Sequence, residues 1–402
     1  MSMPRAVRHI NEVRVLDALF RHGVTTRADL ARELGLMRST VGNLIVGLIE
    51  QGLVRETDLG TATGTPVAAK TGRPGQGVHL NAGHAAFIGA DIGVGHLSVV
   101  VIDLAGRTVH SRTLDWRAEI GAVDAVVDRL AEMVEGVMRQ LPSGQVVQGL
   151  NLTVPGLVTS DGVVLRAPVL GWQQVPVQRL LVERLGWHRP ISAENDANAF
   201  AAAELFGRDQ PPGAEALFVY LDAGVGGGIA SAGRLLRGQR GQAGEIGHIH
   251  LGEHGFETRT AVQGSFESYV GREAVLARFQ HHGGEAEGLD AFLAALDAGL
   301  PAAQRTLSDW AWWMGRGLAS LISVLDPGRI VLGGPVAALF EPARGQVLDS
   351  IRKHLVPPHD LPVIEVSTLT VNACALGGAM LLHRAHLAID ERLVFGASGP
   401  GG

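Results

Sequence analysis

Between Gly244 and Tyr269 the chain reads GEIGHIHLGEHGFETRTAVQGSFESY, which sets Glu245, His248, His250, His254 and Glu267 among glycines. Carboxylates and imidazoles at this density either hold a metal ion or hydrogen-bond a polyhydroxylated ligand. A solvated loop is the competing reading. A second concentration is Glu194-Asn195-Asp196-Ala197-Asn198, where a carboxylate and an amide stand side by side. Such a pair can both accept from and donate to adjacent hydroxyls, although Asp196 alone would pass for a helix cap. Glycines follow acidic strand ends at Asp91-Ile92-Gly93 and across Gly224–Gly228, with a further pair at Gly333-Gly334. Backbone N–H groups in such loops can cradle phosphate, and the same glycines can also do no more than turn the chain.

The elements that must position these residues belong to a layered α/β body. Phe87–Gly93 and His96–Asp103 are apolar runs of strand length, with a third strand after Ala105-Gly106. A helix is predicted over about Val123–Leu141 and a strand over Val147–Thr153. The set then repeats, with a strand at Leu217–Leu221, the glycine run, a helical region through residue 323 and a strand at Arg329–Leu332. Strands alternating with helices imply an α/β sheet, and two such halves imply a bilobal body with a cleft. The final helix, expected to run to about Leu393, should pack back on the first half. Trp310, Trp312 and Trp313 read as helix core or subunit contact, and Cys374 as a buried structural thiol.

The first eighty residues follow a different pattern. Ile10, Val13, Leu16, Leu19 and Phe20 are spaced for a helix over residues 8–22 that Gly23 stops. Thr26 and Asp29 resemble a capping box for a short helix through Leu34. A third helix from about Arg38 to Gln51 buries Val41, Leu44, Ile45, Leu48 and Ile49 and offers Arg38, Ser39, Thr40 and Asn43 at its exposed start. Met37 stands where an N-cap Ser or Thr is usual. This is the helix-turn-helix arrangement, whose second helix enters the major groove N-terminus first, with a three-helix protein-docking module as the competing reading. Segments 53–56 and 77–80 read as two strands of a wing, whose loop carries Lys70 and Arg73.

Bulk properties agree with this division. The 402 residues are 46% hydrophobic and 18% charged, which describes an ordered chain with room for several cores. Residues 1–80 hold ten Lys+Arg against seven Asp+Glu, a balance of +3, which leaves −9 for the remainder. A basic head on an acidic body fits a nucleic-acid-facing module joined to something else. With Cys374 the single cysteine, an intrachain disulfide and a cysteine-based zinc site are excluded. Without an apolar leader or membrane-length run, a cytoplasmic protein is expected.

Taken together, these segments resemble the ROK family of repressors, open reading frames and sugar kinases, over nearly the whole chain. Asp91-x-Gly93 resembles the first phosphate loop of the family's actin-like fold, and Gly224-Val225-Gly226-Gly227-Gly228 the second. Val154-Pro155-Gly156 and Leu170-Gly171-Trp172 resemble its sugar-side loops. Glu194–Asn198 matches the segment in which the Asp is the general base, and Gly244–His248 matches the family signature. The winged helix and Gly72-Arg73-Pro74 resemble the repressor branch.

The resemblance implies a winged helix-turn-helix over 1–82, a first α/β lobe over 83–195 plus about 374–396, and a second lobe over 196–373. It implies sugar contacts at Gly156, Asn195, Asp196, Glu245, His248 and Glu267. The phosphate loops, Asp91, Gly93 and Gly95 with Ala223, Gly224 and Gly226, read as degraded. Val94 and Gly95 stand where family kinases continue D-x-G into Gly-Thr, and Asp222-Ala223-Gly224 replaces a G-T-G. No catalytic residue is therefore expected, Asp196 marking only the position of the family base. Thr258, Thr260 and Ser265 fall at the positions of the family's zinc cysteines, so no zinc or other cofactor is expected. A substitute site built from His248, His250 and His254 is disfavoured, because His250 would point opposite His248 on a strand. The expected protein is a sugar-responsive regulator, a homodimer or dimer of dimers, whose partners are operator DNA and a small sugar.

Overall fold

The computed structural model describes residues 3–58, 76–205, 215–256 and 261–388. The N-terminal domain runs α1 (Met3–His22), β1 (Thr25–Thr26), α2 (Arg27–Leu34), α3 (Arg38–Glu50), β2 (Val54–Asp58) and β3 (Gln76–Leu80), with the strands in the order β1-β3-β2. Local chemistry sets its boundaries. The Thr26 hydroxyl accepts from the Asp29 N–H to open α2, and Gly35 closes it in the left-handed conformation at φ 65°. Met37 precedes α3 without a side-chain cap. Helix α1 starts earlier than residue 8, and its buried stripe is Val15, Leu16, Ala18 and Leu19, while Ile10, Val13 and Phe20 are half-buried. Among the described residues, the buried positions of α1 thus all lie in its second half.

The first lobe follows: β4 (Ala85–Gly93), β5 (His96–Asp103), β6 (Thr108–Asp115), α4 (Val123–Met138), β7 (Val146–Val154), β8 (Leu157–Val158), β9 (Val164–Ala167), β10 (Trp172–Val175), α5 (Val177–Leu185) and β11 (Ile191–Asn195). Its main sheet has the order β11-β7-β4-β5-β6, and β10-β9-β8 make a small separate sheet. The second lobe has α6 (Asp196–Leu205), β12 (Glu215–Leu221), β13 (Val225–Ser231), β14 (Arg234–Leu235), α7 (Phe266–Val270), α8 (Arg272–His281), α9 (Leu289–Asp297), α10 (Pro301–Leu325), β15 (Arg329–Gly333), α11 (Phe340–His354) and β16 (Val363–Val366). Its sheet order is β14-β13-β12-β15-β16. Each sheet is thus an antiparallel three-strand meander extended by two parallel strands beside the meander's first strand. The two halves inferred from the alternating pattern share one topology.

The terminal helix α12 (Ala373–Leu387) ties the parts together. Every residue of β5, and all of β4 but Gly93, is buried. Because side chains alternate across a strand, the two faces serve different cores. Ile88, Ala90, Val99 and Val101 face Leu130 and Val134 of α4. Phe87, Val100 and Ile102 share a core with Ala375, Ala379 and Met380 of α12 and with Leu16, Leu19, Leu30 and Ile45 of the winged helix. The N-terminal domain is therefore continuous with the body. Phe20 lies 5.0 Å from the His383 ring, and Arg384 pairs with Asp17 at 2.8 Å. Burial lowers the His383 pKa to about 4, so its neutral ring donates from Nε2 to the Leu104 carbonyl at 2.8 Å.

Helices α6 and α12 cross with almost nothing between them. A Cβ at Gly377 would fall on the Ala199 carbonyl, and one at Gly89 on that of Ala375. Three expectations need correcting. The run Gly224–Gly228 is largely strand β13, and Cβ atoms at Gly226 and Gly228 would strike the Cβ atoms of Ala197 and Ala201, so these glycines let α6 lie close on the sheet. Ile246–His248 is a single 3₁₀ turn and not a strand, so the strand argument about His250 does not apply. Helix α4 stops at Met138, and α12 ends at Leu387, with residues from 389 outside those described. Among the described residues no helix is long and apolar enough to cross a membrane.

The crossing makes a stability prediction. Gly377→Ala should lower stability by at least about 2 kcal/mol, because backbone cannot yield as a side chain tip can. Gly345→Ala on α11, where a Cβ meets nothing within 4 Å, should be neutral or stabilising by up to about 1 kcal/mol. Urea midpoints of the two variants provide the check, and equal midpoints would contradict the close crossing.

Candidate functional site

A cavity of about 170 Å³ opens where the two sheets face each other. From the first lobe it takes Asp91 and Gly93 at the end of β4, Gly156 after β7, and Asn195 at the end of β11. From the second it takes Asp196 at the start of α6, Ala223, Gly224 and Gly226 around the β12–β13 turn, and Glu245, His248 and Glu267 beyond β14. All six residues expected on the sugar side meet here. Gly95 does not: it sits at the tip of the β4–β5 hairpin beside Arg117, at φ 90°.

The Asn195–Asp196 junction is held by its own hydrogen bonds. Asn195 donates from Nδ2 to the Gly156 carbonyl at 3.1 Å, and its Oδ1 accepts from the N–H groups of Ala197 at 2.9 Å and Asn198 at 3.1 Å. The Asp196 Oδ1 accepts from Ala197 at 2.8 Å, leaving a carboxylate on the cavity wall at the N-terminus of α6. Its enclosure by protein, followed by the nearby Asp91 charge, pushes its pKa well above the ordinary value. Burial raises Glu245 as well, against the opposing pull of His248, whose Nδ1 is 3.7 Å away.

The glycine-loop side of the cavity is already occupied by protein groups. Asp91 accepts from the Thr153 hydroxyl at 2.5 Å and pairs with His96 Nε2 at 3.2 Å. Burial alone would lower the His96 pKa, but the Asp91 hydrogen bond and charge outweigh it and raise it. The imidazole covers Gly93, where a Cβ would overlap the ring. Across the cleft, Asp222 pairs with Arg272 Nη1 at 3.0 Å, and burial raises its pKa despite that guanidinium. Glu267 reaches over Gly224 and accepts from the Val225 N–H at 2.8 Å. A backbone donor of the second glycine segment is thereby taken by a carboxylate.

Several lining residues escaped the sequence reading. Arg166 of β9, Tyr220 of β12 and Val262 reach the cavity from separate elements, with no local pattern to mark them. Cys374 is buried as expected, but it also lines the cavity at the first turn of α12, beside Tyr220. Trp310 is buried and donates from Nε1 to the Val270 carbonyl at 3.1 Å; Trp313 stacks on Tyr269 with centroids 3.7 Å apart. Trp312 is partly exposed. Of the expected zinc-cysteine positions, Ser265 is buried and its hydroxyl caps α7, whereas Thr258 and Thr260 lie outside the described residues. Among the described residues no three His, Cys, Asp or Glu side chains converge as a metal site would require.

On the winged helix, Arg38, Ser39 and Asn43 are exposed on α3, and Thr40 is half-buried. Gly42, beside them, faces open space. Lys70 and Arg73 lie outside the described residues.

Comparison with known proteins agrees with both halves. The ROK family model matches residues 87–385. The chain belongs to the ROK family. A model of the IclR helix-turn-helix domain matches residues 13–58. A putative xylose repressor of Caldicellulosiruptor sp. strain Rt8B.4 is 27% identical over 96% of this chain and 98% of its own. A glucokinase of Streptomyces coelicolor is 28% identical but covers 74% of this chain and 97% of its own. The crystal structure of a ROK family transcriptional regulator, a homologue of the E. coli MLC protein, superposes with a TM-score of 0.76 and 25% identity over 97% of this chain and 100% of that one. The putative xylose repressor and the ROK family transcriptional regulator thus match over nearly the whole chain, whereas the glucokinase matches about three quarters of it.

The raised Asp196 pKa has a definite sign. The unfolded carboxyl ionises near 3.8, the folded one only at higher pH, so stability falls as pH rises from 3.8 through the folded value and then levels off. Asp196→Asn removes that loss. The variant should melt higher than the parent at neutral pH, by a margin that shrinks toward pH 4; a margin independent of pH would contradict the assignment.

Proposed function

We propose that this ROK protein is a sugar-responsive transcriptional repressor that holds operator DNA through α3 and the wing and reads a small sugar in the interlobe cavity. The observation that carries this reading is the meeting of Gly156, Asn195, Asp196, Glu245, His248 and Glu267 in one cavity, in a chain whose winged helix shares a core with the body. Amide, imidazole and carboxylate groups on both sides suit a ligand with hydroxyls around its rim. The acidic side chains Asp91, Asp196, Asp222, Glu245 and Glu267 outnumber the basic Arg166 along the cavity wall, a lining that suits an uncharged sugar better than a sugar phosphate.

Phosphoryl transfer is lost in this reading. It rests on positioning and on charge stabilisation around the transferred group. Here His96 lies over Gly93, the Asp222–Arg272 pair sits by the second glycine segment and Glu267 takes the Val225 donor. An active sugar kinase with a fused DNA-binding head is the alternative, kept in view by the glucokinase relative.

Two copies of the chain bind two half-sites about one helical turn, or a multiple of it, apart. A dimer of dimers obeys the same geometry. Sugar binding changes the angle between the lobes, and α12 carries the change. Its first turn lines the cavity at Cys374, and its last turns hold Phe20 and Asp17 of α1 through His383 and Arg384. The direction follows from which state binds sugar more tightly, and release of DNA is the expected one.

In a mobility-shift titration, D-xylose or D-glucose should weaken the operator complex, and the 6-phosphate of glucose should not. An operator complex indifferent to every sugar would sink the effector model. Arg38→Ala and Asn43→Ala should each weaken operator binding by roughly tenfold, the signature of lost groove contacts. Sugar-dependent ADP formation from ATP, abolished by Asp196→Asn, would establish the kinase alternative instead.

A further inference from the structure

The two halves of the cavity wall sit on different lobes, and their alignment needs a fixed link between them. Glu194 lies on β11, the edge strand of the first sheet, one residue before Asn195. Arg237 follows β14, the edge strand of the second sheet, whose pairing continues through the Leu236 N–H to the Ile229 carbonyl at 2.8 Å. Arg237 Nη1 donates to Glu194 Oε2. The Glu194 side chain is 11% exposed, and its other oxygen accepts from the Asn195 N–H at 3.1 Å and from Asn198 Nδ2 at 3.2 Å. These donors account for both carboxylate oxygens. Asn195 and Asn198 are themselves joined, through Asn195 Oδ1 and the Asn198 N–H.

On the Arg237 side, its carbonyl accepts from the Ala243 N–H at 3.1 Å, closing a turn that leads straight into Glu245. Gly238, Gly241 and Gly244 in that turn are all left-handed, at φ 68°, 75° and 99°. A turn built this way has little side-chain packing of its own to hold it against the opposite lobe.

We infer that Arg237 is a positioning residue: its ion pair with Glu194 latches the second lobe's Glu245 and His248 into register with the first lobe's Asn195. The latch rests on the reading of this cavity as a sugar site, but its geometry exists without sugar. Neither partner needs to touch the ligand. A half-exposed guanidinium on an enclosed carboxylate is a contact that can open when the lobes part. The pair therefore sets the fraction of molecules whose cavity is assembled before a sugar arrives, which multiplies the apparent affinity.

The test uses the full chain and the variants Arg237→Gln, Glu194→Gln, their combination, and Arg237→Lys. Titration calorimetry with D-xylose and D-glucose should show each single variant binding about tenfold more weakly, and the double variant no more weakly than either single, because one contact has been removed twice. Arg237→Lys should recover part of the loss by restoring the charge. Melting temperatures without sugar should stay within about 3 °C of the parent, which separates alignment from simple destabilisation. Small-angle scattering of the sugar-free proteins provides a readout that needs no ligand: Arg237→Gln should have a larger radius of gyration than the parent. Parent-like affinity in the single variants, additive losses in the double, or an unchanged radius of gyration would overturn the latch. A parent that binds neither sugar would count against the effector reading alone, and the latch would then stand or fall on the scattering.

Discussion

Helices α6 and α12 approach so closely that backbone meets backbone, and the rest of the structure depends on that contact. A side chain on Gly377 would occupy the place of the Ala199 carbonyl. Helix α6 starts at Asp196 on the cavity wall and lies on the second sheet, where Phe200 packs with Phe218 and Tyr220. Helix α12 puts Cys374 of its first turn in the same cavity, lies on the first sheet and ends against the winged helix. Rigid elements in such contact transmit a rotation of one lobe instead of absorbing it, because close-packed interiors compress very little. Ligand geometry and DNA-domain placement are thus properties of one packed unit.

On the proposed function, the cavity senses a sugar in a fold that the glucokinase relative also shares. Asn195 and Asp196 are held in place by hydrogen bonds to backbone, as with Asn195 to Gly156. The side where phosphate would lie is instead satisfied internally, by Asp91 with His96 and Thr153 and by Asp222 with Arg272. Donors engaged in such pairs are not free for an incoming polyanion. In this account the same acidic wall that removes the nucleotide favours an uncharged sugar.

Much of this was legible in the sequence because it depends on local chemistry. The apolar spacing of α2 and α3, the Thr26–Asp29 cap and the strand ending at Asp91-Ile92-Gly93 each follow from neighbours within a few residues. The six sugar-side positions came from the resemblance to the ROK family, not from spacing, and the fold brings them to one cavity. What stayed hidden depends on distant partners. Gly226 and Gly228 read as a loop because glycine runs usually turn, yet here they make room for Ala197 and Ala201. Gly95 sits at a hairpin tip beside Arg117 and does not line the cavity, although its neighbour Val94 does. Cys374 reads as a buried structural thiol until two lobes are closed over it, and nothing in sequence marks Tyr220 as a lining residue or Arg237 as the partner of Glu194.

The central claim is that one cavity and one DNA-binding surface belong to a single two-state unit, and linkage supplies its most direct measurement. Sugar affinity should be determined by calorimetry on the free protein and again on the protein saturated with operator. If the two sites bias one equilibrium, operator must weaken sugar binding by the same factor by which sugar weakens operator binding. Equal sugar affinities in the free and operator-bound protein would contradict the account.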